Sequence, residues 1–319
     1  MRIVFFGSSQ FSCLVLGALI DGPCEIVAVV TQPDQPKGRK MQVCPTVVCQ
    51  EAGALELNVI KPERLKGNSE VLETLKELKP DALLVASYGK ILPPELLELT
   101  PWPLNVHPSL LPLMRGASPI RTTLLDGHGI AGCCIMKMTP QLDDGDLLLV
   151  KDIEVGRDWN HDRLECELGM LGGELALQAL DLCAEGNAQF QPQDHDSATY
   201  TKLFDRDDTV IDWSRTTEEL YNFVRAWDPD VGALTCLPDG RKLKVWRASL
   251  ELPEELALDL MMAPTIPGSV VRVDKHALWV ATADGALQLL EVQPENKARM
   301  TTASFLAGNT LEPGECLGY

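Results

Sequence analysis

Arg2 to Phe6 reads RIVFF, an apolar run of strand length that stops at Gly7. From Phe11 to Ile20 the apolar positions fall at helical spacing, and Glu25 to Thr31 (EIVAVVT) is a second apolar run without alternation. Runs of this kind suit strands covered by helices on both faces. Strand, helix and strand within about thirty residues predict a βαβ unit with a right-handed crossover. Further strands are expected at Ala82–Ala86, Leu104–His107 and Gly132–Met136. Helical patterns separate them at Glu70–Leu78 and Ile120–Leu125, and a long helix is expected from His161 to Ala184.

These elements predict an α/β domain over residues 1–187, with a Rossmann-like, doubly wound parallel sheet. A dinucleotide fingerprint would place G-x-G-x-x-G after the first strand, yet Gly7 is followed by no glycine until Gly17. The phosphate cradle is missing, which argues against NAD and FAD. Residues 188–207 turn polar without period (QFQPQDHDSATYTKLFDRD from Gln189) and read as a linker, longer than a usual connection inside a domain. The pattern then changes. Thr217–Trp227 reads as one helix, and short strands at Leu243–Arg247, Ser269–Val273, Ala277–Ala281 and Ala286–Val292 alternate with turn signals such as Pro238-Asp239-Gly240 and Asp284-Gly285. Residues 208–319 are therefore expected to form a small β-barrel of OB-like kind. A length of 319 residues agrees with two domains.

Composition narrows the function. Lys and Arg number 28 against 46 Asp and Glu, a net charge of −18. Such a chain does not coat nucleic acid through a basic surface, although local basic patches remain open. The ten cysteines are scattered and contain no C-x-x-C, and the five histidines lack metal-binding spacings. A reduced, cytoplasmic, metal-free protein is the reading. Gly7-Ser8-Ser9-Gln10 interrupts the apolar N-terminal stretch, so no secretory leader is expected. No apolar run reaches the length of a membrane helix, so no membrane association is expected.

Candidate chemistry concentrates in Leu104-Asn105-Val106-His107-Pro108-Ser109-Leu110-Leu111-Pro112. Asn105 and His107 lie two apart at a strand end and so share a face. The carboxyl ends of parallel strands are where α/β folds place ligands. An amide donor beside an imidazole suits a reaction that builds charge on a carbonyl oxygen. A loop histidine bonded to backbone explains the same residues. In Leu142-Asp143-Asp144-Gly145-Asp146, a carboxylate from the next strand could orient His107, and only one of Asp143 and Asp144 can easily face it. A plain Asp-Gly turn is the alternative.

N-V-H-P-S-L-L-P-x-x-R-G at 105–116, with L-D-D-G-D at 142–146, resembles the formyltransferase family that uses 10-formyltetrahydrofolate. The blocks T-Q-P-D-Q-P-K-G-R-K (31–40), A-S-Y-G-K-I-L-P (86–93), I-D-W (211–213), V-R-A-W-D-P (224–229), K-V-W (244–246) and the closing V-Q-P-E-N-K-A-R-M with F-L-A-G extend the likeness from end to end. They resemble the branch of the family that formylates initiator methionyl-tRNA. Gly7-Ser8-Ser9-Gln10 departs from the family's G-T-P-D/E, and Leu113-Met114 stands for a basic-aromatic pair.

The resemblance implies transfer of a formyl group to the α-amine of methionine on initiator methionyl-tRNA, with no metal. It implies Asn105, His107 and Asp143 as the catalytic set, and Ser109, Leu110, Leu111 and Pro112 along the folate. Lys37, Arg39 and Lys40 in one loop, with Arg241, Lys242, Lys244 and Arg247 on the second domain, are the basic residues expected to meet tRNA; a solvated face is the plain alternative for each cluster. A monomer is expected. An amino-sugar-nucleotide N-formyltransferase is the alternative activity, since it would share the catalytic domain.

Overall fold

The computed structural model describes residues 1–37, 42–263 and 265–318. The chain divides into two compact units. Met1–Ile120, Ile130–Val155 and Leu164–Lys202 form the first, and Arg121–Gly129, Gly156–Arg163 and Leu203–Tyr319 the second.

The chain begins with β1 (Arg2–Gly7), α1 (Gln10–Asp21), β2 (Glu25–Val30), β3 (Gln35–Lys37), β4 (Gln42–Cys44), α2 (Val47–Ala54) and β5 (Val59–Ile60). Next come α3 (Ser69–Glu77), β6 (Ala82–Ala86), α4 (Pro94–Leu97), β7 (Trp102–His107), β8 (Arg115–Gly116) and α5 (Pro119–Leu125). Then follow β9 (Ile130–Lys137), β10 (Leu147–Glu154), α6 (His161–Ala184) and β11 (Tyr200–Thr201). The main sheet has the order β10-β9-β7-β6-β1-β2-β5. Its middle is as apolar as the sequence suggested: Ile3, Val4, Phe5 and Phe6 are fully buried, as are Leu83 and Leu84. Ser9 caps α1, its hydroxyl accepting from the Ser12 amide while the Ser9 amide donates back to the Ser12 hydroxyl.

The sheet is not wholly parallel. β1, β2, β5, β6 and β7 run parallel, whereas β9 is antiparallel to β7 and β10 is antiparallel to β9. An apolar run carries no direction of its own, and the connection decides it. The link from β9 to β10 contains no helix, so it can join only antiparallel neighbours. β10 has no counterpart among the sequence expectations, because its half-exposed edge position leaves no clean pattern.

Most of the stretch expected as a linker, 188–207, groups with the first unit. Residues up to Lys202 belong to the first unit and the division falls at Leu203. Gln191 and Leu147 exchange both backbone hydrogen bonds at 2.8 Å, the Arg115 amide donates to the Thr199 carbonyl at 2.9 Å, and β11 pairs with β8. This strap binds through backbone and amide groups rather than through an apolar face, so no hydrophobic period marks it.

The second unit continues with α7 (Thr217–Trp227), β12 (Ala233–Cys236), β13 (Lys242–Ser249), α8 (Glu254–Met262), β14 (Val270–Val273), β15 (Leu278–Ala281), β16 (Ala286–Pro294), β17 (Met300–Thr301) and α9 (Thr302–Leu306). Its antiparallel sheet has the order β12-β13-β16-β15-β14, with β17 on β16. The edge strands β12 and β14 are joined through residues near the C-terminus. The Leu317 amide donates to the Gly268 carbonyl and Val270 to Glu315, while Gly318 donates to Cys236. This tail gives the sheet its barrel-like closure. Trp213, Leu220, Val245, Leu287 and Phe305 lie in the core it surrounds. Among the described residues no helix is long and apolar enough to cross a membrane.

Candidate active site

β7 sorts its side chains by alternation. Leu104 and Val106 are buried on one face, and Val106 meets α6 at Gly172, where a Cβ would lie 2.8 Å from its Cγ1. That close approach of helix to strand fixes β7 from behind. Asn105 and His107 therefore share the other face at the strand's carboxyl end. Asn105 sits between Val85 of β6 and Met136 of β9, and His107 opposite Cys134.

His107 is almost fully buried, and its Nε2 lies 3.1 Å from the Met114 carbonyl. A carbonyl only accepts, so Nε2 carries the hydrogen and donates. Nδ1 faces the Asp143 carboxylate, 3.8 Å from Oδ2. Asp143 Oδ2 accepts the Gly116 amide at 2.8 Å. The structure thus brings Asn105, His107 and Asp143 into one neighbourhood of the first unit. Asn105 is 8% exposed, and among the described residues its amide makes no side-chain hydrogen bond.

The Asp-Asp-Gly run divides its duties. Asp143 has a left-handed backbone (φ 49°) that turns its carboxylate toward His107. Asp144 accepts from the Thr139 hydroxyl and closes the turn. At Gly145 a Cβ would fall 1.7 Å from the Lys137 carbonyl oxygen, so any side chain there would force the turn off the strand. Asp143 thus faces the imidazole, while Asp144 and Gly145 build the turn.

Ser109, Leu110, Leu111 and Pro112 form a packed turn beside this site. The Ser109 hydroxyl donates to the Leu113 carbonyl at 2.7 Å, and Leu111 is buried with Cys134, Met136 and Leu147. Leu110 packs on Gly132, and the Pro112 carbonyl accepts the Thr199 amide. Leu110 and Pro112 alone of the four retain partial exposure. Cys134 donates to the Ser109 carbonyl, and burial pushes its thiol up to about 12 and that of Cys133 well above its ordinary value. Both thiols stay protonated and serve as packing, not as nucleophiles.

Arg115 and Gln193, neither singled out by the sequence reading, lie directly behind Asp143. Arg115 Nε and Nη2 donate to Gln193 Oε1, and Gln193 Nε2 donates to the carbonyls of Asp143 and Gly145. The polar, aperiodic stretch around Gln193 was the only signal the sequence held, and it pointed to a linker.

The basic residues are placed less uniformly. Lys37 ends β3, while Arg39 and Lys40 lie outside the described residues. In the second unit Arg241 pairs with Asp239 at 2.7 Å and Arg247 with Glu291 at 3.0 Å. Lys244 donates to the Val231 carbonyl and lies 5.4 Å from the Trp246 ring centroid. Lys242 is exposed. Among the described residues no three of His, Cys, Asp and Glu stand together as a metal set.

A hydrogen-bond donor, an imidazole and a carboxylate at the rim of this mixed sheet can stabilise an oxyanion and carry a proton away. Comparison with known proteins gives that chemistry a family. Residues 1–180 match the family described as formyl transferase, and residues 204–310 match the formyl transferase C-terminal domain. The methionyl-tRNA formyltransferase of Symbiobacterium thermophilum is 40% identical over 316 residues, which are 98% of this chain and 94% of that protein. The methionyl-tRNA formyltransferase of Bacillus subtilis is 39% identical over 321 residues, covering 99% and 98%. Among solved structures, HypX from Aquifex aeolicus in complex with tetrahydrofolic acid is similar with a TM-score of 0.62 at 19% identity, over 96% of this chain and 47% of HypX. The N-formyltransferase from Helicobacter canadensis reaches 0.62 at 14% identity, over 92% of this chain and 99% of its own. At such identities both structures are similar in fold alone.

Proposed function

This chain belongs to the formyl transferase family, and we propose that it transfers the formyl group of 10-formyltetrahydrofolate to the α-amine of methionine on initiator methionyl-tRNA. The observation that carries this reading is the meeting of Asn105, His107 and Asp143 at the end of β7 in a chain whose methionyl-tRNA formyltransferase relatives match it from end to end. The folate supplies the activated formyl group. An α-amine has a pKa near 8, so a useful neutral fraction exists at pH 7 and the protein need activate it little.

The Asn105 amide, which among the described residues makes no other side-chain bond, donates to the formyl oxygen as charge builds on it. The His107 Nε2–H, which meets a backbone carbonyl in the structure, is the second donor, because an oxyanion is a stronger acceptor than a neutral carbonyl. Asp143 faces Nδ1, holds the ring and takes up the amine proton through water. The turn from Ser109 to Pro112 walls the folate side, with Leu110 and Pro112 offering the partly exposed surface.

The acceptor's phosphates meet Lys37, Arg39 and Lys40 from the first unit and Arg241, Lys242 and Lys244 from the second. The ion pair of Arg241 is exposed. Exposed pairs contribute little, so a phosphate can displace Asp239 at little cost.

Single-turnover transfer from labelled donor to charged initiator tRNA tests the site. His107→Ala should lower the rate roughly 10²–10³-fold while both substrates bind within a few fold. A variant that kept more than about a third of the wild-type rate would remove His107 from the reaction.

A further inference from the structure

Gln193 is 5% exposed and lies on the strap that leads out of the first unit. Its Oε1 accepts from Arg115 Nε at 3.2 Å and Nη2 at 2.7 Å. Its Nε2 donates to the Asp143 carbonyl at 2.9 Å and to the Gly145 carbonyl at 2.7 Å. A primary amide offers two N–H groups and two acceptor lone pairs, so every bonding position is used. Only one orientation works, because a flipped amide would aim its N–H groups at a guanidinium that can only donate.

Arg115 enforces that orientation. It is 3% exposed, and among the described residues it has no carboxylate partner. Its other polar side-chain neighbours are His195 Nδ1 at 3.0 Å and the Tyr200 hydroxyl at 3.4 Å. The next residue, Gly116, donates its amide to Asp143 Oδ2. Asp143 is therefore gripped twice: by its carboxylate from Gly116 and by its carbonyl from Gln193. Its left-handed φ of 49° is uncommon for a residue with a side chain, although aspartate enters it more readily than most, and these two bonds hold it there.

We propose that Gln193 is a positioning residue for formyl transfer, clamping the backbone of residues 143–145 so that the Asp143 carboxylate stays beside His107. Gln193 touches neither substrate; it acts through Asp143, and the inference rests on the role given to Asp143 above. A shift of about 1 Å in a reacting group can lower a rate on the order of 10²-fold, so the clamp has a measurable consequence.

Two variants separate the clamp from simple packing. Gln193→Glu keeps an acceptor for Arg115 and loses the two donors, and Gln193→Met keeps the length and loses both. Compared at equal folded fraction by circular dichroism, each should lower kcat roughly 10–100-fold and leave both KM values within about threefold. The decisive reading is a double-mutant cycle in single turnover. On an Asp143→Asn background, Gln193→Met should lower the rate by less than about twofold, because its effect is already absent. Losses that multiply would overturn the proposal, as would a wild-type kcat in Gln193→Met alone. A wild-type rate in Asp143→Asn alone would overturn the site reading together with this proposal, and that single variant tells the two failures apart.

Discussion

Asp143 and Asp144 are neighbours in sequence with the same side chain, and the structure gives them different work. Asparagine enters the left-handed region readily, so Asp143→Asn removes the charge facing His107 without breaking the turn. It should lower transfer roughly 10²–10⁴-fold, the range of a lost acid–base group. Asp144→Asn keeps an oxygen for the Thr139 hydroxyl and should stay within about threefold of wild type. Initial rates of both, at matched folded fraction, decide it; equal damage would reduce the Asp-Asp-Gly run to a structural turn. This pair was legible in the sequence because a carboxylate near a strand-end histidine and an Asp-Gly turn each leave a motif. Gln193 was not legible, since an amide that bonds to backbone carbonyls needs no motif and no period.

At the scale of elements, apolar runs and helical periodicity located the central strands and the longer helices of both units. His161–Ala184 and Thr217–Trp227 fall where the periodicity put them. Direction was hidden: the run at β9 looks alike in a parallel or antiparallel sheet, yet β9 runs antiparallel to β7, and β10 runs antiparallel to β9 through a helix-free link. α8 also escaped the reading. The start of α6 offers a test of packing against the residues after α7. Burial, with the Arg121 charge nearby, pulls the His161 pKa down from 6.5 to about 4, against the pull of Asp230. The folded state therefore favours the neutral ring. Its contribution is whole above pH 6.5 and is lost as the pH falls toward 4, since the unfolded chain binds the proton first. Wild type should lose about 1–2 kcal/mol more stability between pH 7 and pH 5 than His161→Gln, measured by urea unfolding with tryptophan fluorescence. Parallel losses in the two proteins would show that His161 is not held neutral.

For the whole molecule, the two-unit plan was legible and its boundary was not. Polar sequence from 188 onward looks like a connector, yet the part up to Lys202 carries backbone bonds to the site loops. A fragment ending at Lys202 should accordingly bind the folate donor better than one ending at Asn187, which lacks Gln193 and the β11 pairing with β8. Isothermal titration of the two soluble fragments checks this, and equal affinity would mean that the strap does not shape the donor site. The longer fragment should also bind charged tRNA weakly, with a flatter fall of log K against log salt than the full chain, because it lacks Arg241, Lys242 and Lys244. The central claim concerns the acceptor, and one assay reaches it directly. Labelled formyl from 10-formyltetrahydrofolate is offered in parallel to charged initiator tRNA, to an amino-sugar nucleotide and to water. The label should appear on methionine of the charged tRNA with kcat/KM roughly a hundredfold or more above that for the sugar nucleotide, and with little formate released. Label that moved faster to the sugar nucleotide, or that left as formate while the tRNA stayed unmodified, would contradict the account.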